Sequence, residues 1–222
     1  MKNNKIYISF FAFFLLASVS FAQGITTASD YFKEISDYYS TIKDYEADIE
    51  INFSSSDMKG RISFKRPELL RIDFEDPAEQ VILFNGDDLT IYIPGSSAIL
   101  RQTVETASSL SPSSGGLNLM RRYYSIAYET GQDPVPLDES SDELVVNFML
   151  YARASSEAFS TIRLSVDVNT KLIRRVIATS KQNEKITFDL YNYSLNTNMA
   201  NERFIYDPPS SANEYNNFLF SD

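Results

Sequence analysis

The spacing of apolar residues near the start of the chain is helical. Over residues 27–43 these residues recur at intervals of three and four, which predicts one amphipathic helix. Thr27 and Asp30 have the spacing of a capping box, so we place the start of the helix there. The predicted apolar face consists of Tyr31, Ile35, Tyr38 and Ile42.

Beyond this helix the period changes to two. Apolar and polar side chains alternate over residues 61–65, 70–75 and 89–93, and residues 81–84 form a short apolar run. Asn85-Gly86 is a strong hairpin signal, and Pro94-Gly95 closes the last of these strands. The pattern predicts an antiparallel meander with one apolar and one polar face.

The alternation is interrupted in the middle of the chain. Residues 108–116 read SSLSPSSGG, which is the composition of a flexible linker, and a short helical face follows. That face carries Leu117, Met120, Tyr124 and Ala127. After a polar, proline-bearing loop at residues 133–142, strands are predicted at residues 146–150, 161–168, 172–179 and 186–191.

These elements predict an α+β protein with about nine strands and only two helices. Each strand has one apolar face that must be buried, either by closing a barrel, by forming a sandwich, or by wrapping around helices. Because so few helices are available, a curved sheet with a helical plug is the economical arrangement. No internal repeat and no second domain is apparent.

Residues 1–22 have the layout of a secretory signal peptide. Lys2 and Lys5 precede an apolar stretch at residues 6–17, and Ser20-Phe21-Ala22 suits a signal peptidase. A membrane anchor is the alternative, but this stretch is shorter than the roughly 20 apolar residues that a spanning helix needs. We therefore expect cleavage after Ala22, export to the periplasm, and a single domain at residues 23–222.

The amino-acid composition excludes several kinds of catalytic and metal-binding site. The chain contains no Cys, His or Trp. Without Cys and His, disulfides, thiolate nucleophiles, most hydrolase triads and most zinc sites are excluded. The formal net charge of −10 argues against binding nucleic acid. The missing Cys also excludes the lipobox of a bacterial lipoprotein, which places a Cys after the cleavage site where this chain has Gln23.

The remaining candidates for catalysis are weak. Carboxylates cluster at Asp73, Glu75 and Asp76 and again at Asp87 and Asp88, and Ser–Lys pairs occur at Ser63/Lys65 and Ser180/Lys181. None has EF-hand or S-x-x-K spacing, and no phosphate-binding glycine loop is present. A solvated surface explains these residues better than a site, so we predict no enzyme activity, no metal and no cofactor.

One stretch of the sequence is a more specific signal of function than these catalytic candidates. The sequence KRPELLRID at residues 65–73 is followed by Pro77, Gln80, Asn85-Gly86 and LTIYIP at residues 89–94. This pattern resembles the central signature of the LolA family, the periplasmic carriers of outer-membrane lipoproteins. Weaker likeness continues at residues 167–173, 186–196 and 204–209. The chain departs from better-known members in lacking tryptophan, in its acidic 133–142 loop, and in its tail.

The resemblance implies an incomplete, half-open antiparallel β-barrel of about nine to eleven strands, with helices that form a lid over an apolar cavity. It assigns residues 108–128 to the lid, including Leu117, Met120 and Tyr124, and makes Arg66 the tether that holds the lid shut. Taken alone, Arg66 reads as a surface arginine at a strand end. The inward positions expected to line the cavity are Ile62, Phe64, Leu70, Ile72, Phe74, Leu89, Ile91 and Ile93.

The function implied is that of a monomeric periplasmic chaperone. Such a protein binds the acyl chains of lipoproteins and carries them from the inner to the outer membrane. Its expected partners are acylated lipoproteins, an inner-membrane ABC transporter and an outer-membrane acceptor where one exists. Two alternatives stay open: a lipid-binding or lipoprotein-sensing module on the same fold, as in LolB acceptors or stress regulators, and a carboxylate hydrolase. The hydrolase requires an acidic pair in a polar cleft, whereas a carrier requires an apolar cavity.

Overall fold

The computed structural model describes residues 26–53, 56–103 and 114–218. These residues form two α-helices and thirteen strands of one sheet. The helices are α1 (Ala28–Thr41) and α2 (Ser114–Tyr123). The first strands are β1 (Asp44–Phe53), β2 (Ser56–Lys65), β3 (Leu69–Asp76), β4 (Val81–Phe84), β5 (Asp88–Ile93) and β6 (Ala98–Thr103). The others are β7 (Tyr124–Tyr128), β8 (Val135–Pro136), β9 (Leu144–Ala152), β10 (Phe159–Asp167), β11 (Ile173–Ser180), β12 (Lys185–Leu195) and β13 (Asn213–Asn216).

The sheet is open. Its strand order is β13-β6-β5-β4-β3-β2-β1-β12-β11-β10-β9-β7, with β8 also paired to β9. All pairs are antiparallel except β13 with β6, which is parallel. A flat sheet would place β3 and β10, five strands apart, at roughly 24 Å from each other. Ile72 of β3 and Ile162 of β10 nevertheless line one cavity, so the sheet must curl around it.

Helix α1 begins as its capping box predicts. The backbone N–H of Asp30 donates to the Thr27 hydroxyl at 3.1 Å, and that hydroxyl donates to the Asp30 carboxylate at 2.7 Å. The helix ends at Thr41, two residues before the predicted end. Its most buried side chains are Phe32, Ile35 and Tyr39, so the buried face is rotated by about one residue from the predicted one.

The side of the sheet that faces the helices, here called the inner face, carries the main core. Phe32 packs edge-on against Phe148 of β9, with ring centroids 5.7 Å apart. The backbone N–H of Ile173 on β11 donates to the Tyr39 hydroxyl at 2.8 Å. Helix α1 is therefore fixed to the second half of the sheet by both apolar packing and a buried hydrogen bond.

The opposite side of the sheet, here called the outer face, is partly covered by residues 196–217, here called the C-terminal strap. Val81, Tyr92 and Ile99 form a second buried cluster there, and Tyr206 and Ala212 of the strap pack against it. The strap ends in β13, which pairs with the edge of β6. This covering explains why Tyr92 is buried although it points away from the main core.

An ion network holds the strap to the outer face. Arg71 donates to Asp73 at 2.7 Å and to the carbonyl oxygens of Arg203 and Ile205, both at 3.1 Å. Arg203 in turn donates to Asp73 and to Ser63. Burial favours a neutral Asp73 and raises its pKa, but the hydrogen bonds from the two arginines outweigh burial and leave that pKa below its usual value.

The number of strands differs from the prediction of nine to eleven. The described residues contain thirteen strands, and no strand was predicted at β1, β6, β7, β8 or β13. Strand β8 has two residues, and β13 is exposed and has no apolar alternation, so neither leaves a periodic signal. The predicted helix that extended to residue 128 is wrong beyond Tyr123, because residues 124–128 form β7. Neither described helix is long and apolar enough to cross a membrane.

Candidate functional site: an apolar cavity

A partly open cavity of about 270 Å³ lies between the inner face of the sheet and helix α2. Strands β1, β2, β3, β10, β11 and β12 form its wall, and Leu117 and Met120 of α2 close one side. Their positions follow from pairing, because side chains directly opposite on antiparallel strands point to the same face. Ile62 lies opposite Ile72, and Val176 opposite Phe188. The lining residues are Ile49, Ile62, Leu70, Ile72, Leu117, Met120, Phe159, Ile162, Leu164, Ile173, Val176, Ala178, Phe188, Leu190 and Tyr193.

The wall has almost no polar character. Among the described lining residues, the only side-chain oxygen belongs to Tyr193, and its hydroxyl donates to the carbonyl of Ile173 at 2.8 Å. Burial raises the pKa of Tyr193 well above its usual value, so this hydroxyl stays neutral. With its donor already engaged, Tyr193 offers little to a polar ligand. The cavity can therefore hold an apolar ligand by contact area, and its described lining residues include no group suited to acid–base or nucleophilic chemistry.

Three of the eight predicted inward residues line the cavity, namely Ile62, Leu70 and Ile72. Phe64 and Phe74 also point inward but are buried in the main core. Phe64 packs against Tyr45 of β1, with ring centroids 5.2 Å apart. The sequence pattern identified the inward face but could not separate cavity wall from core, because that depends on which strands the helices cover.

Leu89, Ile91 and Ile93 of β5 lie outside the cavity wall. Cross-strand pairing places Ile91 opposite Ile82, which lies opposite Ile72, so this row does face inward as predicted. These three side chains are half-buried and belong to neither core cluster among the described residues. In this structure they lie outside the cavity, and their contact with an acyl chain stays a prediction.

Two of the three predicted lid residues lie on helix α2. Leu117 is fully buried and Met120 contacts the main core, and both line the cavity. Tyr124 is buried at the start of β7, and its hydroxyl donates to the carbonyl of Phe159 at 3.2 Å. Helix α2 is joined to α1 by a hydrogen bond from the Ser36 hydroxyl to Asn118 at 3.2 Å. Residues 104–113 of the predicted linker and lid lie outside the described residues.

Arg66 lies in the turn between β2 and β3, with an exposed side chain. Its backbone N–H donates to the carbonyl of Lys43 at 2.9 Å, which ties this turn to the segment between α1 and β1. The role of Arg66 as a lid tether stays a prediction.

The clustered carboxylates lie away from the cavity. Asp73 is engaged with arginines on the outer face, and Asp88 accepts a hydrogen bond from Thr103 at 2.8 Å on β6. No group of three or more acidic side chains in the described ranges is arranged to hold a metal ion. The acidic pair in a polar cleft that a carboxylate hydrolase requires is not found among the cavity's described lining residues, which include no carboxylate.

Most of the cavity wall comes from residues outside the predicted lining set. Phe159, Ile162, Leu164, Val176, Phe188 and Leu190 belong to the late strands, and Ile49 belongs to β1. Their alternation with polar neighbours was visible in the sequence, but only the early strands carried the family signature. Tyr193 had no signal of its own, because an aromatic residue near a strand end is most often simply packed.

A curled sheet around an apolar cavity that a helix covers on one side is typical of proteins that bind hydrophobic ligands. The family comparison agrees. The family model described as "Outer membrane lipoprotein carrier protein LolA" matches residues 52–207, and the chain belongs to this family. The outer-membrane lipoprotein carrier protein of Pseudomonas aeruginosa is 25% identical over 153 residues, covering 68% of this chain and 67% of that protein.

Solved structures share the fold at low sequence identity. An uncharacterized conserved protein from Thermus thermophilus superposes with a TM-score of 0.56 at 9% identity, covering 84% of this chain and 97% of that one. MucB superposes with a TM-score of 0.52 at 12% identity, covering 81% of this chain and 62% of that one. These similarities establish the open sheet as the common fold.

Proposed function

We propose that this protein is a periplasmic carrier that binds the acyl chains of lipoproteins in its apolar cavity and conveys them from the inner to the outer membrane. The observation that carries the proposal is the composition of the cavity wall, which is aliphatic and aromatic and has one engaged hydroxyl. Membership of a family of lipoprotein carriers supports the same ligand class.

The cavity volume sets the length of chain that the protein holds in this conformation. An apolar cavity of about 150 Å³ accommodates one benzene, so by proportion a cavity of this size holds roughly eleven carbon atoms. At about 0.8 kcal/mol per buried CH₂, an acyl segment of that length is stabilised by about 9 kcal/mol. A segment of that length is only part of one long acyl chain.

Loading a lipoprotein with several acyl chains therefore requires the cavity to enlarge. Helix α2 is the element best placed to move, because it has ten residues and contributes Leu117 and Met120 to the wall. Displacing it exposes those two side chains, at a cost of a few kcal/mol. A ligand that fills the enlarged space offsets this cost, and a partner that stabilises the open form promotes release.

Direction must come from partners, since a cavity of this kind binds and releases by mass action. We expect an inner-membrane ABC transporter to load the protein and an outer-membrane acceptor, where one exists, to unload it. In this scheme Arg66, at the turn between β2 and β3, tethers the closed lid. The Arg66→Leu variant is then expected to fold normally while exchanging cargo abnormally, whereas a misfolded variant indicates a purely structural arginine.

A displacement assay with a fluorescent C16 fatty acid tests the ligand class. Val176 lines the cavity and is half-buried, so a Val176→Phe substitution places a ring in the cavity. We expect this variant to lose most of its affinity for the probe. Ile91→Phe is the matched control, because Ile91 is a half-buried residue of the same inner face that lies outside the cavity wall.

Circular dichroism must show that both variants are folded. Equal probe binding by wild type, Val176→Phe and Ile91→Phe would place the ligand elsewhere and overturn the proposed site. Transport itself is tested by depleting the protein in its host and following lipoprotein localisation. Lipoproteins that still reach the outer membrane would exclude the carrier role and favour a lipid-binding or sensing role on the same fold.

A further inference from the structure

We infer that the edge of the sheet next to the cavity is a binding surface for anionic membrane lipids. The surface, here called the basic rim, consists of Arg121, Arg122, Arg153, Lys181 and Lys185. It lies where β7, β10 and β12 begin and where β9 and β11 end. In a chain with a formal net charge of −10, five neighbouring cations are a distinctive local feature.

Strand pairing and hydrogen bonds bring these segments together. Tyr124, directly after Arg122 and Tyr123, lies opposite Ala152 at the end of β9, and Phe159 lies opposite Ser180 at the end of β11. Arg153 donates to the carbonyl of Tyr124 at 3.1 Å. The Lys181 ammonium donates to the carbonyl of Ser155, which links the β11–β12 turn to the β9–β10 turn. The rim is therefore one continuous surface.

The charges of the rim are not neutralised by ion pairs. Within residues 26–53, 56–103 and 114–218, none of its five cations forms a salt bridge with a carboxylate. Other basic residues on the sheet, such as Arg163 and Arg174, pair with Glu129 and Glu143. The carboxylates of the same turns are Glu157 and Glu184, so the rim keeps an excess of positive charge.

Exposed aromatic side chains accompany these cations. Tyr123 and Tyr151 are 38% and 47% exposed, and Phe53, at the end of β1 next to β12, is 40% exposed. The Arg122 guanidinium lies over the Tyr123 ring at 5.6 Å. Aromatic rings and basic side chains together are typical of surfaces that sit at the headgroup level of a bilayer.

The basic rim borders the cavity. Met120, which lines the cavity, directly precedes Arg121 and Arg122, and Phe159, which also lines it, is paired with the residue before Lys181. Docking the rim on an anionic bilayer thus brings this end of the cavity to the lipid surface. This inference goes beyond the proposed carrier function. Vesicle binding requires no acyl ligand, so it can be tested independently of acyl-chain binding in the cavity.

Vesicle flotation tests the inference. The purified protein is mixed with vesicles of phosphatidylcholine alone or of an equal mixture of phosphatidylcholine and phosphatidylglycerol. Each Lys or Arg near an anionic surface strengthens binding about fivefold, so a net excess of three charges predicts roughly a hundredfold preference for the mixed vesicles. High salt is expected to abolish the preference, because it screens exposed charges.

Arg122→Glu changes the rim by two charges and is expected to weaken binding to the mixed vesicles about 25-fold. Lys33→Glu, on the exposed side of α1, makes the same change in net charge away from the rim and is expected to bind as wild type. Equal binding to neutral and anionic vesicles, no binding to either, or equal losses in the two variants would overturn the inference. Unchanged affinity of Arg122→Glu for the C16 probe would show that the cavity is intact.

Discussion

Leu117 contributes both to the stability of the fold and to the wall of the cavity, so truncating its side chain tests both contributions. Its side chain is fully buried on α2 and lines the cavity. Leu117→Ala removes the equivalent of about three methylene groups, which costs about 2.4 kcal/mol in transfer free energy. Buried Leu→Ala changes cost about 2.7–5.0 kcal/mol in total, and a residue that already borders a cavity belongs near the lower end. We expect a loss of about 3 kcal/mol in the free energy of unfolding.

Urea denaturation with and without a saturating acyl ligand measures this loss. A ligand at about a hundred times its Kd adds about 2.7 kcal/mol of stability, so bound Leu117→Ala should approach the stability of free wild type. Leu119→Ala on the same helix is the control. Leu119 is half-buried and outside the cavity wall, and its truncation should cost about 1 kcal/mol. Equal losses in the free energy of unfolding for the two variants, or no recovery of stability when the ligand is added, would refute this role of Leu117.

Three further substitutions probe other parts of the fold by urea denaturation. Gly60→Ala places a Cβ 2.2 Å from the backbone oxygen of Asp73 and should cost about 3 kcal/mol, whereas Gly95→Ala meets nothing within 4 Å and should be neutral. Asp73→Asn should cost about 1 kcal/mol at neutral pH by weakening the strap. Because the folded-state pKa of Asp73 is lowered, wild type should lose this contribution as the pH falls below the ordinary value of 3.8, and the variant should not. Thr27→Ala should cost about 1 kcal/mol by removing the N-cap, and an unchanged midpoint would contradict the capping geometry.

The alternation of apolar and polar residues predicted the inner face of the sheet correctly. Ile62, Leu70 and Ile72 line the cavity because a period of two fixes which side chains share a face. The same period is present in β1, where Tyr45, Ala47, Ile49 and Ile51 are buried, although no strand was predicted there. Local pattern therefore predicted faces better than it predicted the number of strands.

Other features of the cavity depend on contacts between distant segments. Leu89 and Ile91 have the same alternation as Ile72, yet they lie outside the cavity because the wall is formed by the strands on the far side of β3. Tyr92 alternates with these inward residues and so lies on the outer face, yet it is buried because the C-terminal strap covers it. Neither outcome is encoded in the spacing of a single strand. Both depend on long-range pairing and on what packs against each face.

The parallel pairing of β13 with β6 has a consequence for solubility. An open sheet has two terminal strands, whose unpaired backbone groups can recruit strands from other molecules. At the β6 side, the four residues of β13 occupy those groups, and Glu214 forms an ion pair with Arg101 of β6 at 3.2 Å. Asn213, Glu214 and Asn216 then present polar side chains at the new boundary. Because the sheet is open, the protein can curl around an apolar ligand. The short polar strand β13 covers one edge of that sheet and so disfavours aggregation through this edge.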